Sequence, residues 1–101
     1  MTRPKALMTL GLACRAGKVV SGEMMTEKAV RSGRASLILI AGDASDGTKK
    51  KFTDHASYYH VPVRTVFDRE SLGSAIGKEF RAVAAVTDDK LAALIEEQLM
   101  A

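Results

Sequence analysis

Apolar residues change their spacing repeatedly along the chain, and each change marks an element. Over residues 5–15, Leu7, Leu10 and Ala13 or Cys14 recur at helical intervals, with Leu12 widening the apolar face. This predicts an amphipathic helix that Gly17 ends, led in by Met1-Thr2-Arg3-Pro4 with the proline in its first turn. Val19 and Val20 predict a very short strand. Gly22 then opens a helix that stops at Gly33, with Met25, Ala29 and Val30 as its inward positions, Met24 and Met25 being open either to core packing or, for one of them, to an outward apolar surface. Leu37–Ala41 is a continuous apolar run, the pattern of a central strand covered by helices on both faces.

Residues 42–47 form a polar, glycine-containing crossover in which Ser45 or Asp46 can cap a helix over Thr48–Ala56, with Phe52 and Ala56 turned inward. Tyr58–Pro62 leads into a strand over Val63–Phe67. Asp68–Ser71 offers an N-cap for a short helix through Leu72 and Ile76, closed by Gly77. Ala82–Val86 predicts a strand of small residues. Thr87 or Asp88 then caps a helix over Lys90–Met100 with Leu91, Leu94, Ile95 and Leu99 as its buried stripe. Helix and strand alternate from end to end. That order predicts an α/β fold, a single three-layer α-β-α sandwich over residues 1–101, around a small mixed four-stranded sheet.

Composition agrees with one folded domain. The chain has 101 residues, 47% of them apolar, enough for one modest core and not for two. There is no secretory hydrophobic stretch and no run long enough to span a membrane, so a cytoplasmic protein with no membrane partner is expected. Cys14 has no second cysteine to pair with, which fits a buried thiol in a reducing compartment.

The net charge of +3 changes the picture only when it is mapped along the chain. Residues 1–66 hold eleven basic and five acidic side chains, whereas residues 67–101 hold four basic and seven acidic. One part of the surface can therefore attract a polyanion while the C-terminal part stays neutral or acidic.

Reactive chemistry is not visible. His55 and His60 lack a Cys or carboxylate pattern that would make a metal site. Gly42 and Gly47 fit neither a P-loop nor a dinucleotide fingerprint. No enzyme activity and no cofactor are expected. A binding surface is easier to build. Gly22 permits close backbone approach, and the first turn of the following helix leaves amides without intrahelical partners. Glu23 can accept from a base or cap the helix, Thr26 can donate or accept, and Lys28 can meet a phosphate. Lys18, Arg31 and Arg34 lie in the same stretch. Lys49, Lys50 and Lys51 diverge by about 100° per residue, so only one or two of them can share a phosphate track. Phosphate contacts position an RNA, and structured RNA is read largely by shape and exposed bases. The competing reading is a protein-interaction or assembly module, with Met24, Met25, Tyr59 or Val61 forming an apolar patch.

Across Leu10–Gly33, Leu39–Ser45, Thr48–Lys51, Tyr59–Pro62, Glu70–Gly73, Ala75–Gly77 and Ala84–Asp88, the chain resembles the superfamily of ribosomal and ribonucleoprotein proteins that recognise kink-turn RNA. The nearest likeness is to its bacterial YlxQ-type ribosomal-protein-like members. The resemblance implies the α-β-α fold, structured and ribosomal RNA as partner, ribosomal proteins as neighbours, and a monomer outside that assembly. Carried over by position, it implies backbone contacts from Lys18 and Lys28, close approach at Gly22, a recognition segment of Glu23, Met24, Met25 and Thr26, and a peripheral Arg31. It also implies a second contact loop at His60-Val61-Pro62-Val63. The chain departs from the family where archaeal and eukaryotic kink-turn binders commonly carry Asn-Glu to read sheared G·A pairs. Met24-Met25 stands there, and methionine cannot reproduce that hydrogen bonding.

Overall fold

A computed structural model of the protein describes residues 3–100, so the expected lead-in at Met1 and Thr2 lies outside the described residues. The elements are α1 (Arg3–Arg15), β1 (Val19–Ser21), α2 (Glu23–Arg31), β2 (Leu37–Ile40), α3 (Asp46–Tyr59), β3 (Val63–Thr65), α4 (Arg69–Ala75), β4 (Val83–Val86) and α5 (Asp89–Met100). The strands form one sheet in the order β1-β4-β2-β3. β4 runs antiparallel to both β1 and β2, and β2 pairs parallel with β3. Thus β1, β2 and β3 share a direction and β4 alone opposes it.

The two central strands are buried along their whole length, with Leu37–Ile40 and Val83–Val86 all inaccessible. Helices cover both faces: α2 packs with α3 against one, and α1 packs with α4 and α5 against the other. The three-layer α-β-α sandwich expected from the alternation is the observed architecture. Phe52, Leu10, Leu72 and Ile95 supply the largest helical side chains of the core. Ser45 caps α3 by accepting from Thr48 N–H, and Asp68 caps α4 by accepting from Ser71 N–H at 2.7 Å. Asp88, the expected alternative to Thr87, accepts from Leu91 N–H in the first turn of α5.

Three expectations about helix faces are corrected. In α1 the inward line runs through Ala6, Leu10 and Ala13, which turns Leu12 outward at 56% exposure. In α5 it runs through Ala92, Ile95 and Gln98, leaving Leu94 at 41% exposure. In α2 it runs through Thr26, Ala29 and Val30, so Met25 lies outside the core. In each case an alternative phase one residue away also carried apolar side chains, and tertiary packing selected between them. Tyr58 and Tyr59 belong to the last turn of α3, not to the approach to a strand, because His60 in the left-handed region (φ 58°) terminates the helix later than predicted. β3 is correspondingly short, and Phe67, with φ 65°, lies beyond it.

Candidate nucleic-acid interface

Strand direction decides which loops meet. β1 and β2 finish, and β4 begins, at the same end of the sheet. Gly22 therefore leaves β1 beside the start of β4, and its N–H donates to Val83 C=O at 2.9 Å. Ala41 leaves β2 alongside, its N–H donating to Ala82 C=O at 2.8 Å. The α4–β4 loop, residues 76–82, closes the same corner. Arg81 Nε donates to Ser21 Oγ at 3.1 Å, and Arg81 N–H donates to Arg69 C=O.

Gly22 is the N-cap of α2 and has φ 85°, ψ 161°, a region that only glycine occupies without strain. A Cβ built there would meet no atom within 4 Å, so the backbone faces open space. The helix has no side-chain cap, and the amides of its first turn lack carbonyl partners within it. Met24 is 81% exposed and Met25 also lies on the surface.

Glu23 is committed internally. Its Oε2 accepts from Thr48 Oγ1 at 2.8 Å, and its Oε1 lies 3.6 Å from Lys51 Nζ. It ties the start of α2 to the start of α3, a positioning role beside the two expected of it, accepting from a base or capping the helix. Thr26 is corrected outright. Its side chain is 0% exposed and its hydroxyl has no partner among the described residues, because it occupies the inward line of α2 beneath the surface.

The cations divide by partner. Glu27 pairs with Arg31 at 2.7 Å and with Lys51 at 2.9 Å, and Asp54 pairs with Lys50 at 3.0 Å. The Lys51 hydrogen bond, aided by the charge of Arg31, holds the Glu27 carboxyl below its ordinary range, and the Glu27 hydrogen bond raises Lys51. Lys28 and Lys49 have no ion pair among the described residues. Of the lysine triplet, Lys49 is thus the one available to a phosphate. The outer side of α2 carries a groove of about 570 Å³ lined by Met24, Glu27, Lys28, Arg31 and Ser32.

Two of the expected contact groups lie elsewhere. Lys18 precedes β1, and its C=O accepts from Thr87 N–H beyond the end of β4, at the opposite end of the sheet from Gly22. His60, Val61 and Pro62 precede β3, which runs with β1, so they too lie at that far end, where Pro62 C=O accepts from Ile38 N–H. The loop that does flank Gly22 was missed: Lys78 and Phe80 are exposed, Phe80 at 59%. Its local signal is an aromatic between two basic residues, Lys78 and Arg81, just before a strand. Only the reversed direction of β4 brings that signal to the corner.

Among the described residues no group of three or more His, Cys, Asp or Glu side chains could hold a metal ion. No helix there is long and apolar enough to cross a membrane.

Comparison with known proteins gives a consistent result. Residues 5–95 match the model of the ribosomal protein L7Ae/L30e/S12e/Gadd45 family. The RNA-binding protein YlxQ of Bacillus subtilis strain 168 is 54% identical over 83 residues, covering 82% of this chain and 83% of that protein. The RNA-binding protein YlxQ of Enterococcus faecium is 40% identical over 95 residues, covering 94% and 91%. A solved structure of a Bacillus halodurans protein of unknown function superposes with a TM-score of 0.93 at 38% identity, over 96% of this chain and 98% of that one.

Proposed function

Because this chain belongs to the ribosomal protein L7Ae/L30e/S12e/Gadd45 family, close to its bacterial YlxQ-type members, we propose that it binds structured RNA noncovalently at the Gly22 corner. The RNA is ribosomal RNA or a kink-turn-like element, met in the cytoplasm in association with the ribosome. The observation that carries this reading is that an open glycine backbone, the start of α3 with Lys49 and an exposed loop meet at one end of the sheet, with Lys28 on the helix that begins there and neither lysine ion-paired among the described residues. Lys28 and Lys49 engage the phosphate backbone, and the Lys78–Arg81 loop closes over the other side of Gly22. Met24 and Met25 supply apolar surface in place of donors and acceptors, so bases are read here by fit against an exposed face and not by hydrogen bonds to their edges.

The exposed Met24, Met25 and Phe80 also suit a protein partner, and this observation supports a second reading, an assembly module among ribosomal proteins. Crosslinking in cells, with identification of both the crosslinked residue and the nucleotide, separates the two. RNA adducts at Gly22–Lys28 and Lys78–Arg81 are expected. Adducts to protein alone would replace the RNA reading with the assembly one.

A further inference from the structure

The sequence placed Lys18 and Arg34 with Lys28 in one basic stretch, yet the fold separates them. Lys18 and Gly22 are divided by the whole of β1, about 13 Å at the ordinary strand rise. At that far end the protein carries a groove of about 720 Å³. Three cations reach it from three different parts of the chain: Lys18 from the α1–β1 turn, Arg34 from the α2–β2 turn and Lys90 from the first turn of α5. None of the three forms an ion pair among the described residues.

Two carboxylates share the groove, and both have internal work. Asp88 Oδ2 accepts from Leu91 N–H at 2.9 Å, and Asp89 Oδ1 accepts from Ser36 Oγ–H at 2.6 Å. They fix the groove wall and leave the cations in excess. The two grooves share no lining residue, but α2 and the turn that follows it link them along the chain. The groove on α2 is lined by residues from Met24 to Ser32, and the far groove by Gly33 and Arg34 of the turn that follows. Lys28 and Arg34 are thus six residues apart on α2 and the turn after it, with Arg31, which shares Glu27 with Lys51, between them in sequence.

We propose that Lys18, Arg34 and Lys90 form a second phosphodiester-binding groove, which receives the RNA backbone after it leaves the Gly22 corner along α2. The proposal rests on the RNA-binding reading and extends it: the protein grips one RNA at two ends of its sheet. The far groove supplies affinity and orientation without base specificity, since its groups are point charges and a guanidinium with no aromatic platform.

The test uses the whole chain and two RNAs, a kink-turn with long flanking stems and the same kink-turn trimmed to the shortest stems that fold. The variant K18Q/R34Q/K90Q is compared with K28Q/K49Q, each first confirmed to be folded by circular dichroism. On the long RNA the far-groove variant should weaken binding and lower the slope of log affinity against log salt by about 2–3 units, the release expected for three phosphate contacts. On the trimmed RNA it should match the wild-type protein, whereas K28Q/K49Q should weaken both. An unchanged affinity and slope for the far-groove variant on the long RNA, with K28Q/K49Q impaired, would overturn the second groove and leave the first reading standing. Failure of the wild-type protein to bind either RNA, or indifference of both variants, would overturn both.

Discussion

Arg81 Nε donates to Ser21 Oγ at 3.1 Å, joining the last residue of β1 to a loop sixty positions away. The bond latches the Lys78–Arg81 loop against the start of α2, where the RNA surface is proposed. Ser21→Ala removes the acceptor and should lower stability by only about 1 kcal/mol. Amide hydrogen exchange at Phe80 and Arg81 should quicken, and RNA affinity should fall several-fold. Lost affinity with unaltered exchange would mean that Ser21 acts at the RNA itself and not through the loop.

Gly22→Ala separates backbone strain from contact. Nothing in the protein obstructs the new methyl group, so the folding cost is conformational, about 1–3 kcal/mol at this φ and ψ. A denaturant titration measures that cost. The loss of RNA affinity, measured where the variant remains fully folded, should exceed tenfold because the methyl projects into the open space where RNA is proposed to dock.

Thr26→Val tests the buried hydroxyl. An unsatisfied buried polar group is unfavourable, so the replacement should stabilise the protein by about 1 kcal/mol, seen as a raised denaturant midpoint with unchanged m-value. RNA affinity should not move. A fall in affinity with stability preserved would return Thr26 to the contact surface.

Glu27 links α2 to α3 through Lys51, and its carboxyl is held below the ordinary value of 4.5 chiefly by the Lys51 hydrogen bond. A lowered folded-state pKa contributes stability above the unfolded value and loses it as pH falls through the folded one. Lys51, raised above 10.5, keeps its contribution until pH climbs through that raised value. Glu27→Gln should therefore destabilise the protein between these limits, and its melting temperature should converge on that of the wild-type protein below pH 4.5. A gap that persists undiminished in acid would show that Glu27 acts by packing and not by charge.

Most of the fold was legible because alternation of helix and strand periods survives in short elements, and Leu37–Ile40 allows only a buried central strand. Helix phase was harder. Leu12, Met25 and Leu94 each extend an apolar face by one position, and only packing reveals that Ala6, Thr26 and Ala92 take the inward places. The candidate site was half readable. Gly22, Met24, Met25 and Lys28 announce themselves as neighbours along one helix start. Phe80 and Arg81 do not, since their place beside Gly22 depends on β4 running against its neighbours. The same rule carries Lys18 and His60–Pro62 to the far end, a separation that linear proximity and positional likeness alike conceal.

A Cβ on Gly73 would lie 2.5 Å from the carbonyl oxygen of Glu79, so α4 and the segment leading to Phe80 meet backbone to backbone. One hydrogen atom is all the clearance there is. The pitch of that rim is therefore dictated from below, by the backbone of α4. A single added carbon at position 73 would push the Glu79 carbonyl aside and so tilt the loop that carries Phe80, changing the shape of the proposed RNA surface without replacing any residue placed on it.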